Sequence, residues 1–321
     1  MMTQNEMLDK AHPRHVFDIG DLSVEEIEGL ISLAESMMEN PDAYRQVAKG
    51  KKLGSLFFEP STRTRLSFEA AMLDLGGNVL GFASSDTSST TKGESLSDTI
   101  QVVSNYVDII AMRHPKEGAP LAAARRCLVP IINAGDGGHN HTTQTLADLI
   151  TIKERKGRLD KLTVGFCGDL TFGRTVHSLV NALCRYDGMN FAFISPPELR
   201  LPDYLKEGVL AKSGHPYMET TTIEEVIPSL DILYMTRVQK ERFFNEADYV
   251  RLKDTYILDL EKLRFAKSDL AILHPLPRVN EIAVEVDDDP RAAYFDQVHC
   301  GKFMRMALMM KLMGLEDPLK K

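Results

Sequence analysis

Apolar and polar positions along this chain follow two alternating periods, and the alternation predicts an α/β protein. Short uninterrupted apolar runs predict buried strands, and longer segments with one apolar face predict helices. The predicted strands are residues 53–58, 78–82, 109–113, 130–134, 163–167, 190–194, 232–235 and 271–273. The predicted helices are residues 24–40, 64–75, 95–106, 142–156, 174–184, 222–227, 246–252 and 294–313. Strands that alternate with helices favour a largely parallel sheet flanked by helices.

The stretch 156–161 is charged, contains a glycine and predicts a domain boundary. A chain of 321 residues is long for one hydrophobic core and of ordinary length for two. We therefore expect two three-layer α/β domains, residues 1–156 and 157–291, each with a largely parallel sheet between helices. The last helix, within residues 292–321, is long and has an apolar face, so we expect it to return to the first domain.

Composition narrows the classes of partner. The chain has 38 Lys and Arg residues against 46 Asp and Glu, a formal net charge of −8 and a pI near 5.6. This balance gives no support for a nucleic-acid or membrane-surface partner, and an anionic substrate would need a local basic pocket. The N-terminal segment has no apolar signal core, and Lys302, Arg305 and Lys311 interrupt the apolar C-terminal run. We therefore expect neither a signal peptide nor a membrane span.

The cysteines are scattered and form no Cys-x-x-Cys pair. They are Cys127, Cys167, Cys184 and Cys300. Such spacing argues against a disulfide framework or a structural zinc site and fits a reducing cytoplasm. His139 and His141 lack a carboxylate or cysteine at supporting spacing, so no bound metal is expected there.

Residues 59–65 carry the densest group of anion-binding side chains, between a predicted strand and a predicted helix. A helix N-terminus favours an anion because its first amides are unpaired and its dipole is positive there. Ser61 and Thr62 add hydroxyl donors. Arg63 and Arg65 add planar guanidinium groups that suit phosphate oxygens. The alternative is an ordinary Ser/Thr helix cap followed by surface arginines, but the run of consecutive donors favours a phosphate site.

Further donors follow other predicted strands, whose ends commonly face the ligand crevice of a parallel sheet. They are Arg113, His141, Gln144, Arg174, Arg237, Gln239 and the Pro-rich loop 274–278. His141 and Gln144 are three residues apart and so share a helix face. Prolines in the loop leave carbonyls that can receive ligand N–H groups. The hydroxyl-rich run 84–94 predicts either a solvated loop or a mobile lid that brings Lys92 to an anion.

The same pattern speaks against several familiar chemistries. Residues 165–174 form a strand, a glycine-containing loop and a helix, but they lack the spacing of a dinucleotide fingerprint. The sequence shows no Ser-His-Asp order, nucleophile elbow or general-base pair. Because the donors are almost all cationic or neutral, the site is predicted to bind several negative charges. It is predicted to act by positioning and oxyanion stabilisation.

Several of these segments together resemble the transcarbamoylase family, in order and over nearly the whole chain. Residues 58–65 and 141–144 resemble the carbamoyl phosphate signature of that family. Residues 92–94, 236–242 and 274–278 resemble its aspartate branch. The resemblance implies that residues 1–156 bind carbamoyl phosphate and residues 157–291 bind aspartate. It also implies that the C-terminal helix, within 292–321, packs back on the first domain.

The resemblance also implies a reaction and a role for each residue. A carbamoyl group would pass from carbamoyl phosphate to the α-amine of L-aspartate, a step of pyrimidine biosynthesis that needs no metal or organic cofactor. Carbamoyl phosphate would be bound by Ser61, Thr62, Arg63, Thr64, Arg113, His141, Gln144 and the carbonyls near Leu276 and Pro277. The catalytic residues that polarise the carbamoyl oxygen would be Thr64, Arg113 and His141. Aspartate would be bound by Lys92, Arg174, Arg237 and Gln239.

A cytoplasmic homotrimer with active sites shared between chains is implied as well. Ser88 and Lys92 would come from the neighbouring subunit. Glu59 would pair with Arg174 and Arg242 when the domains close. The sequence leaves open whether regulatory chains bind and whether the enzyme is allosteric.

Two departures from the family pattern bear on the site. The family often has proline where Thr142 stands, and the loss of that ring is expected to loosen the start of the helix while leaving His141 and Gln144 in place. Some regulated members carry Lys-Tyr where this chain has Thr171 and Phe172. That difference weakens any inference about control between subunits.

Two other functions compete with this interpretation. An ornithine carbamoyltransferase would bind a cationic side chain, which the positive charges of Arg237 and Lys92 disfavour. That sister family also carries a motif similar to His-Cys-Leu-Pro at the position where this chain has His-Pro-Leu-Pro, residues 274–277. A non-catalytic phosphate-binding module, a protein of another class, would need the anion-binding turn. It would not need Gln144, Arg237 and Gln239 together.

Overall fold

The computed structural model describes residues 13–84, 93–139, 141–238 and 256–320. The chain divides into two compact units, one formed by Met1–Ala147 with His299–Lys321 and the other by Asp148–Val298. Both boundaries fall inside a helix, one within Thr142–Lys156 and one within Tyr294–Leu312. Each unit contains a parallel sheet flanked by helices, so the predicted α/β class is confirmed.

Unit 1 is built on a four-stranded sheet in which every ladder is parallel. Its strands are β1 (Lys52–Phe57), β2 (Asn78–Phe82), β3 (Ile109–His114) and β4 (Ile131–Asp136), in the order β2-β1-β3-β4. The α-helices wholly within this unit are Val24–Glu39, Pro41–Tyr44, Thr62–Asp74, Leu96–Val103 and Ala119–Ala124, with a 3₁₀ turn at Ile19–Asp21. Strands β1, β3 and β4 are mostly apolar and buried, with Ser55, Asn133 and Asp136 as buried polar residues, whereas the edge strand β2 is largely exposed.

Unit 2 has a five-stranded sheet, again with parallel ladders only. Its strands are β5 (Thr163–Cys167), β6 (Asn190–Ile194), β7 (Tyr217–Thr220), β8 (Ile232–Met235) and β9 (Ala271–Leu273), in the order β7-β6-β5-β8-β9. Its α-helices are Arg174–Leu183, Asp203–Leu205, Ala211–Ser213 and Leu260–Leu263, with a π-helical turn at Lys206–Leu210. Its 3₁₀ turns are Pro197–Leu199, Ile223–Glu225, Ile227–Ser229 and Val284–Asp288.

All eight predicted strands are present, and the differences lie elsewhere. Strand β7 was not predicted because Tyr217, Met218 and Glu219 are exposed and give no buried apolar run. The prediction of a helix at 222–227 is wrong, because this part of the chain forms 3₁₀ turns instead. Pro228 supplies no backbone N–H and disfavours helical geometry in the residue before it. The predicted helix 246–252 lies outside the described residues.

The C-terminal helix Tyr294–Leu312 packs with its second half on unit 1, which confirms the predicted return. Lys302 forms an ion pair with Asp74 at 2.5 Å, and the buried Arg305 guanidinium lies 5.3 Å from the centre of the Phe68 ring. The chain that follows is tied down as well, since the hydroxyl of Tyr44 donates to Asp317 at 2.9 Å. Within the described residues, no helix is both long and apolar enough to cross a lipid bilayer.

The four cysteines are free thiols, in agreement with the absence of paired spacing. Cys127 belongs to the apolar core between the helices and strands of unit 1, and Cys167 ends β5 inside the core of unit 2. Burial raises the pKa of the Cys127 thiol to about 11 and raises the pKa of Cys167 as well. Both thiols are therefore protonated and unreactive while the surrounding core stays packed.

A glycine ends the helix Thr62–Asp74 and sets the direction of the chain into β2. Gly76 has φ of +80°, and a Cβ built there would lie 2.2 Å from the carbonyl oxygen of Arg45. Both the left-handed backbone and the close approach exclude a side chain. The fixed end of this helix matters because its other end carries the candidate anion site.

We expect Gly76→Ala to lower the free energy of unfolding by about 1–3 kcal/mol, because the new Cβ must displace backbone. Gly29→Ala is the matched control, since Gly29 lies in the exposed face of Val24–Glu39 with no atom within 4 Å of its built Cβ. That control should be neutral or stabilise by up to about 1 kcal/mol. Urea unfolding followed by circular dichroism measures both. Equal effects of the two substitutions would contradict the assignment.

Candidate active site

The strand order of each sheet reverses direction at its central strands. In unit 1 the chain moves outward from β1 to β2 and then returns to the other side of β1 with β3 and β4. In unit 2 the same reversal occurs between β5 and β8. Ligands of open parallel sheets bind outside the carboxyl ends of the strands at such a reversal. The predicted site residues of both units follow these strand ends.

The anion-binding turn begins where β1 ends and continues into the helix Thr62–Asp74. Ser61 is extended, with φ −155° and ψ 100°, and its side chain caps none of the helix amides. The first turn of the helix carries no acidic side chain, so its positive end is not neutralised from within. Thr64 is only 8% exposed, whereas Thr62 and Arg63 face solvent. The turn therefore offers amides, hydroxyls and a guanidinium to an anion.

Arg65 is used differently from its neighbours in this run. Its guanidinium lies 3.4 Å from Glu69, one turn further along the same helix. Glu69 also accepts a hydrogen bond from the hydroxyl of Ser55 on β1, at 2.9 Å. This network ties the helix to the sheet, so Arg65 supports the turn rather than adding a second guanidinium fork to it.

Arg113 lies beside the anion-binding turn because β3 pairs with β1. Phe57 and Arg113 are partners in the ladder, and the Phe58 N–H donates to the Arg113 carbonyl at 2.9 Å. The Arg113 side chain donates through Nε to Glu59 at 2.6 Å. This contact leaves the guanidinium nitrogens Nη1 and Nη2 as the groups that can meet an anion in the bidentate manner. The predicted pairing of Glu59 with Arg174 and Arg242 stays a prediction.

His141 immediately precedes the helix Thr142–Lys156, which follows β4 and carries Gln144, and buried polar contacts fix this part of the chain. His141 is 7% exposed, and its carbonyl accepts hydrogen bonds from the N–H groups of Gln144 and Thr145 at 3.0 and 3.1 Å. Upstream, Asn133 accepts a hydrogen bond from the N–H of Gly135 and donates to Asp136 at 2.8 Å. The end of β4, from which the chain continues toward the helix, is thus held by its own side chains.

Thr142, where the family often has proline, makes a contact that proline could not make. Its hydroxyl donates to the Phe17 carbonyl at 2.9 Å, and the Asn133 side-chain amide donates to the same carbonyl at 3.1 Å. Val16, next to Phe17, forms a parallel bridge with Ile132 in β4. The missing proline was expected to loosen the helix start, but the hydroxyl anchors that start to the edge of the sheet.

In unit 2, Arg174 and Arg237 follow the adjacent strands β5 and β8. The loops after these strands touch closely: Gly168 has φ of +122°, and a Cβ there would lie 2.2 Å from the Thr236 carbonyl oxygen. The hydroxyl of Thr236 accepts a hydrogen bond from the N–H of Asp169 at 3.0 Å. Arg237 comes directly after this junction, and Arg174 is the first residue of its helix. Arg237 therefore follows backbone that is fixed by the neighbouring loop.

Sequence reasoning missed a histidine that holds the loop before Arg174. His177 Nε2 lies 2.7 Å from the Leu170 carbonyl, and Nδ1 lies 2.9 Å from the Tyr204 hydroxyl. Burial lowers the pKa of His177, so the ring is neutral, donates from Nε2 and accepts at Nδ1. The spacing of three residues from Arg174 on one helix was the available signal, but the contact with Leu170 could not be read from it.

The remaining predicted residues divide into two groups. Leu276 and Pro277 lie in the loop after β9 in unit 2, where Leu276 adopts a left-handed conformation with φ of +51°. Ser88, Lys92, Gln239 and Arg242 lie outside the described residues. Their roles therefore stay predictions from the resemblance.

Two family models match the chain in succession. "Aspartate/ornithine carbamoyltransferase, carbamoyl-P binding domain" covers residues 14–154, and "Aspartate/ornithine carbamoyltransferase, Asp/Orn binding domain" covers residues 160–312. This chain belongs to the aspartate/ornithine carbamoyltransferase family. The match to both models confirms the recognition that the sequence motifs suggested.

Relatives within the carbamoyltransferase family share most of the sequence. The aspartate carbamoyltransferase catalytic subunit of Lachnoclostridium phytofermentans is 62% identical over 302 residues, which cover 94% of this chain and 98% of that protein. The corresponding subunit of Clostridium botulinum is 58% identical with the same coverage.

Solved carbamoyltransferase structures share the fold. The catalytic subunit of M. jannaschii aspartate transcarbamoylase is 45% identical, with a TM-score of 0.87 over 94% of this chain and 98% of that chain. Aspartate transcarbamoylase from Trypanosoma cruzi, in complex with carbamoyl phosphate and aspartate, is 38% identical. Its TM-score is 0.87 over 93% of this chain and 96% of that chain.

In this carbamoyltransferase chain, we expect Thr142→Val to lower the free energy of unfolding by about 1 kcal/mol, because valine keeps the shape and removes one buried hydrogen bond. Thr142→Ser is the matched control, since serine can still donate to the Phe17 carbonyl. Hydrogen exchange of the helix amides after Thr142 should accelerate in the valine variant only. Identical unfolding and exchange in the two variants would show that the tether has no stabilising role.

Proposed function

We propose that this chain is the catalytic chain of an aspartate carbamoyltransferase. It transfers the carbamoyl group of carbamoyl phosphate to the α-amine of L-aspartate and releases N-carbamoyl-L-aspartate and phosphate, in pyrimidine biosynthesis. The observation that carries the proposal is the 62% identity with a catalytic subunit of that name across both domain models. The geometry agrees, because the anion-binding turn, Arg113 and the helix start at His141 follow adjacent parallel strands.

Carbamoyl phosphate binds in residues 1–156 in this proposal. Its phosphate is held by the amides and side chains of the turn and by the guanidinium of Arg113. The residues of that phosphate site are Ser61, Thr62, Arg63, Thr64 and Arg113. Gln144 and the carbonyls of Leu276 and Pro277 bind the carbamoyl amine. Charge-assisted hydrogen bonds of this kind are worth about 1.5–3 kcal/mol each.

Catalysis then requires stabilisation of one developing charge. The neutral amine of aspartate attacks the carbamoyl carbon, and the carbonyl oxygen becomes an oxyanion that Thr64, Arg113 and His141 meet with hydrogen bonds. The bond from carbon to the bridging phosphate oxygen breaks as the carbonyl reforms. The departing phosphate carries away the electron pair and accepts the amine proton. Positioned donors suffice for this reaction, so no metal or organic cofactor is proposed.

Aspartate binds in residues 157–291, where cationic side chains meet its two carboxylates. The proposed groups are Arg174, Arg237 and Gln239, with Lys92 added from the neighbouring chain. The placement of Arg174 and Arg237 at the reversal between β5 and β8 supports this division of labour. The same positive charges disfavour ornithine as the acceptor, and a non-catalytic phosphate module would have no use for them.

The proposed assembly is a cytoplasmic homotrimer in which each active site borrows Ser88 and Lys92 from a neighbouring chain. Glu59 is proposed to exchange its partner on domain closure and to pair with Arg174 and Arg242. Sizing the purified chain alone and with candidate regulatory chains tests whether such chains bind.

Substrate assignment is tested with two variants, one for each half of the site. Arg63→Ala is expected to lower carbamoyl transfer at least about a hundredfold, because it removes charge-assisted bonds to the phosphate. Arg237→Ala is expected to raise the KM for aspartate strongly while leaving carbamoyl phosphate affinity nearly unchanged. Phosphate release is assayed with aspartate or ornithine as acceptor, and calorimetry reports carbamoyl phosphate binding. Faster turnover with ornithine, or equal loss of both affinities in Arg237→Ala, would contradict the proposal.

Shared active sites are tested by mixing two inactive chains. Lys92→Ala and His141→Ala should each be nearly inactive as pure trimers, because every site lacks one required group. In hybrid trimers, a site that draws His141 from one chain and Lys92 from the other is intact, so activity should return. Dissociation, mixing and reassociation followed by a carbamoylaspartate assay measures this. Verified hybrids that stay as inactive as their parents would place Lys92 in its own chain's site.

A further inference from the structure

The loop that follows β9 closes on itself around a buried histidine. His274 and Glu281 are 2% and 4% exposed. The Leu276 N–H donates to His274 Nδ1 at 2.8 Å, and His274 Nε2 lies 2.7 Å from Glu281 Oε1. The other carboxylate oxygen of Glu281 accepts hydrogen bonds from the N–H groups of Val279 and Asn280 at 3.0 and 3.1 Å. One imidazole and one carboxylate thus hold three backbone amides of the loop.

These contacts leave the imidazole a single protonation state. A backbone amide can only donate, so Nδ1 must present its lone pair to Leu276. The ring proton therefore lies on Nε2 and is donated to Glu281, which accepts it as a carboxylate. Burial lowers the pKa of His274. Burial alone would raise the pKa of Glu281, but hydrogen bonds from His274 and Val279 outweigh it and the pKa falls.

Leu276 is the residue that this pair constrains. Its φ of +51° lies in the left-handed region, which a non-glycine residue rarely adopts and keeps only where the surroundings impose it. The hydrogen bond from the Leu276 N–H to His274 is one contact that holds this residue in place. No described residue donates a hydrogen bond to the carbonyl oxygen of Leu276 or Pro277. Leu276 is half-buried and Pro277 is exposed, so a ligand that supplies N–H groups can reach this part of the loop.

We propose that the His274–Glu281 pair is a specificity device: it fixes the direction of the Leu276 carbonyl, so that the enzyme selects an acyl phosphate bearing N–H groups over one without them. The inference rests on the proposed function, which assigns this carbonyl to the carbamoyl amine. Acetyl phosphate has the same phosphate and carbonyl as carbamoyl phosphate but carries a methyl group in place of the amine. A misdirected carbonyl therefore weakens binding of carbamoyl phosphate only. His274 and Glu281 act as positioning residues and do not touch substrate.

The selectivity is measured by titrating the purified enzyme with carbamoyl phosphate and with acetyl phosphate in a calorimeter. Wild-type enzyme is expected to prefer carbamoyl phosphate. In His274→Leu, affinity for carbamoyl phosphate should fall about tenfold, while affinity for acetyl phosphate changes by less than about twofold. If His274 had a merely structural role, its replacement would lower the affinity for both ligands together.

Conservative variants separate the hydrogen bond from the bulk of the ring. His274→Asn places an amide oxygen near the position of Nδ1, so it can still accept the Leu276 N–H and should keep most of the preference. His274→Gln reaches toward Glu281 instead and should lose it. In Glu281→Gln, the amide nitrogen can take either of two positions. In one it faces the N–H groups of Val279 and Asn280, which are donors like itself. In the other it donates to Nε2 of His274, so the ring proton moves to Nδ1, where it faces the N–H of Leu276. Either orientation should reduce the preference as His274→Leu does.

An equal loss of affinity for carbamoyl phosphate and acetyl phosphate in His274→Leu would overturn the inference. Equal selectivity of His274→Asn and His274→Gln would overturn it as well. Circular dichroism and thermal unfolding identify a variant that does not fold. If the leucine variant fails to fold, the comparison of Asn with Gln decides. Wild-type enzyme that binds no carbamoyl phosphate would instead refute the proposed function, so the two failures are distinguishable.

Discussion

Parallel pairing is the constraint on which the rest of this structure depends. Among the described strands every ladder is parallel, so all carboxyl ends of a sheet lie along one edge. Side chains that are distant in sequence, such as Thr64, Arg113 and His141, thereby follow neighbouring strand ends in unit 1. In unit 2 the loops at the corresponding edge pass close to one another, so Gly168 can carry no side chain beside Thr236.

A buried carboxylate organises the interior of unit 2 behind these loops. Asp148 accepts hydrogen bonds from the hydroxyl of Tyr234, at 3.0 Å, and from the side-chain amide of Gln297. Gln297 in turn accepts the N–H of His274 at 3.1 Å. A buried charge is tolerated only where hydrogen bonds replace its hydration. The cost of burying Asp148 therefore favours one arrangement, in which the end of β8, the start of the loop after β9 and two helices meet.

The sequence was sufficient for eight of the nine described strands and for the polar residues at their ends, and insufficient for the contacts that those residues make. Apolar runs located β1, β3 and β5, and parallel topology then placed Arg113 and Arg174 at strand ends. The contact of Thr142 with Phe17 joins segments 125 residues apart, so no local sequence pattern predicts it. The same holds for Glu59 with Arg113, and for the tautomer of His177, which depends on partners from two other segments. Strand β7 could not be predicted from apolar runs because most of its side chains face solvent.

The positions of two cysteines give this chain built-in reporters of local opening. Cys127 is sealed in the core of unit 1, and Cys167 is sealed in the core of unit 2. A thiol reacts as its thiolate, and burial both hides the sulfur and raises its pKa. Each thiol can therefore be alkylated only when its own surroundings loosen, in the manner of an exchanging amide. The alkylation rates of the peptides that contain Cys127 and Cys167 would thus report local opening in unit 1 and unit 2 separately, without any introduced label.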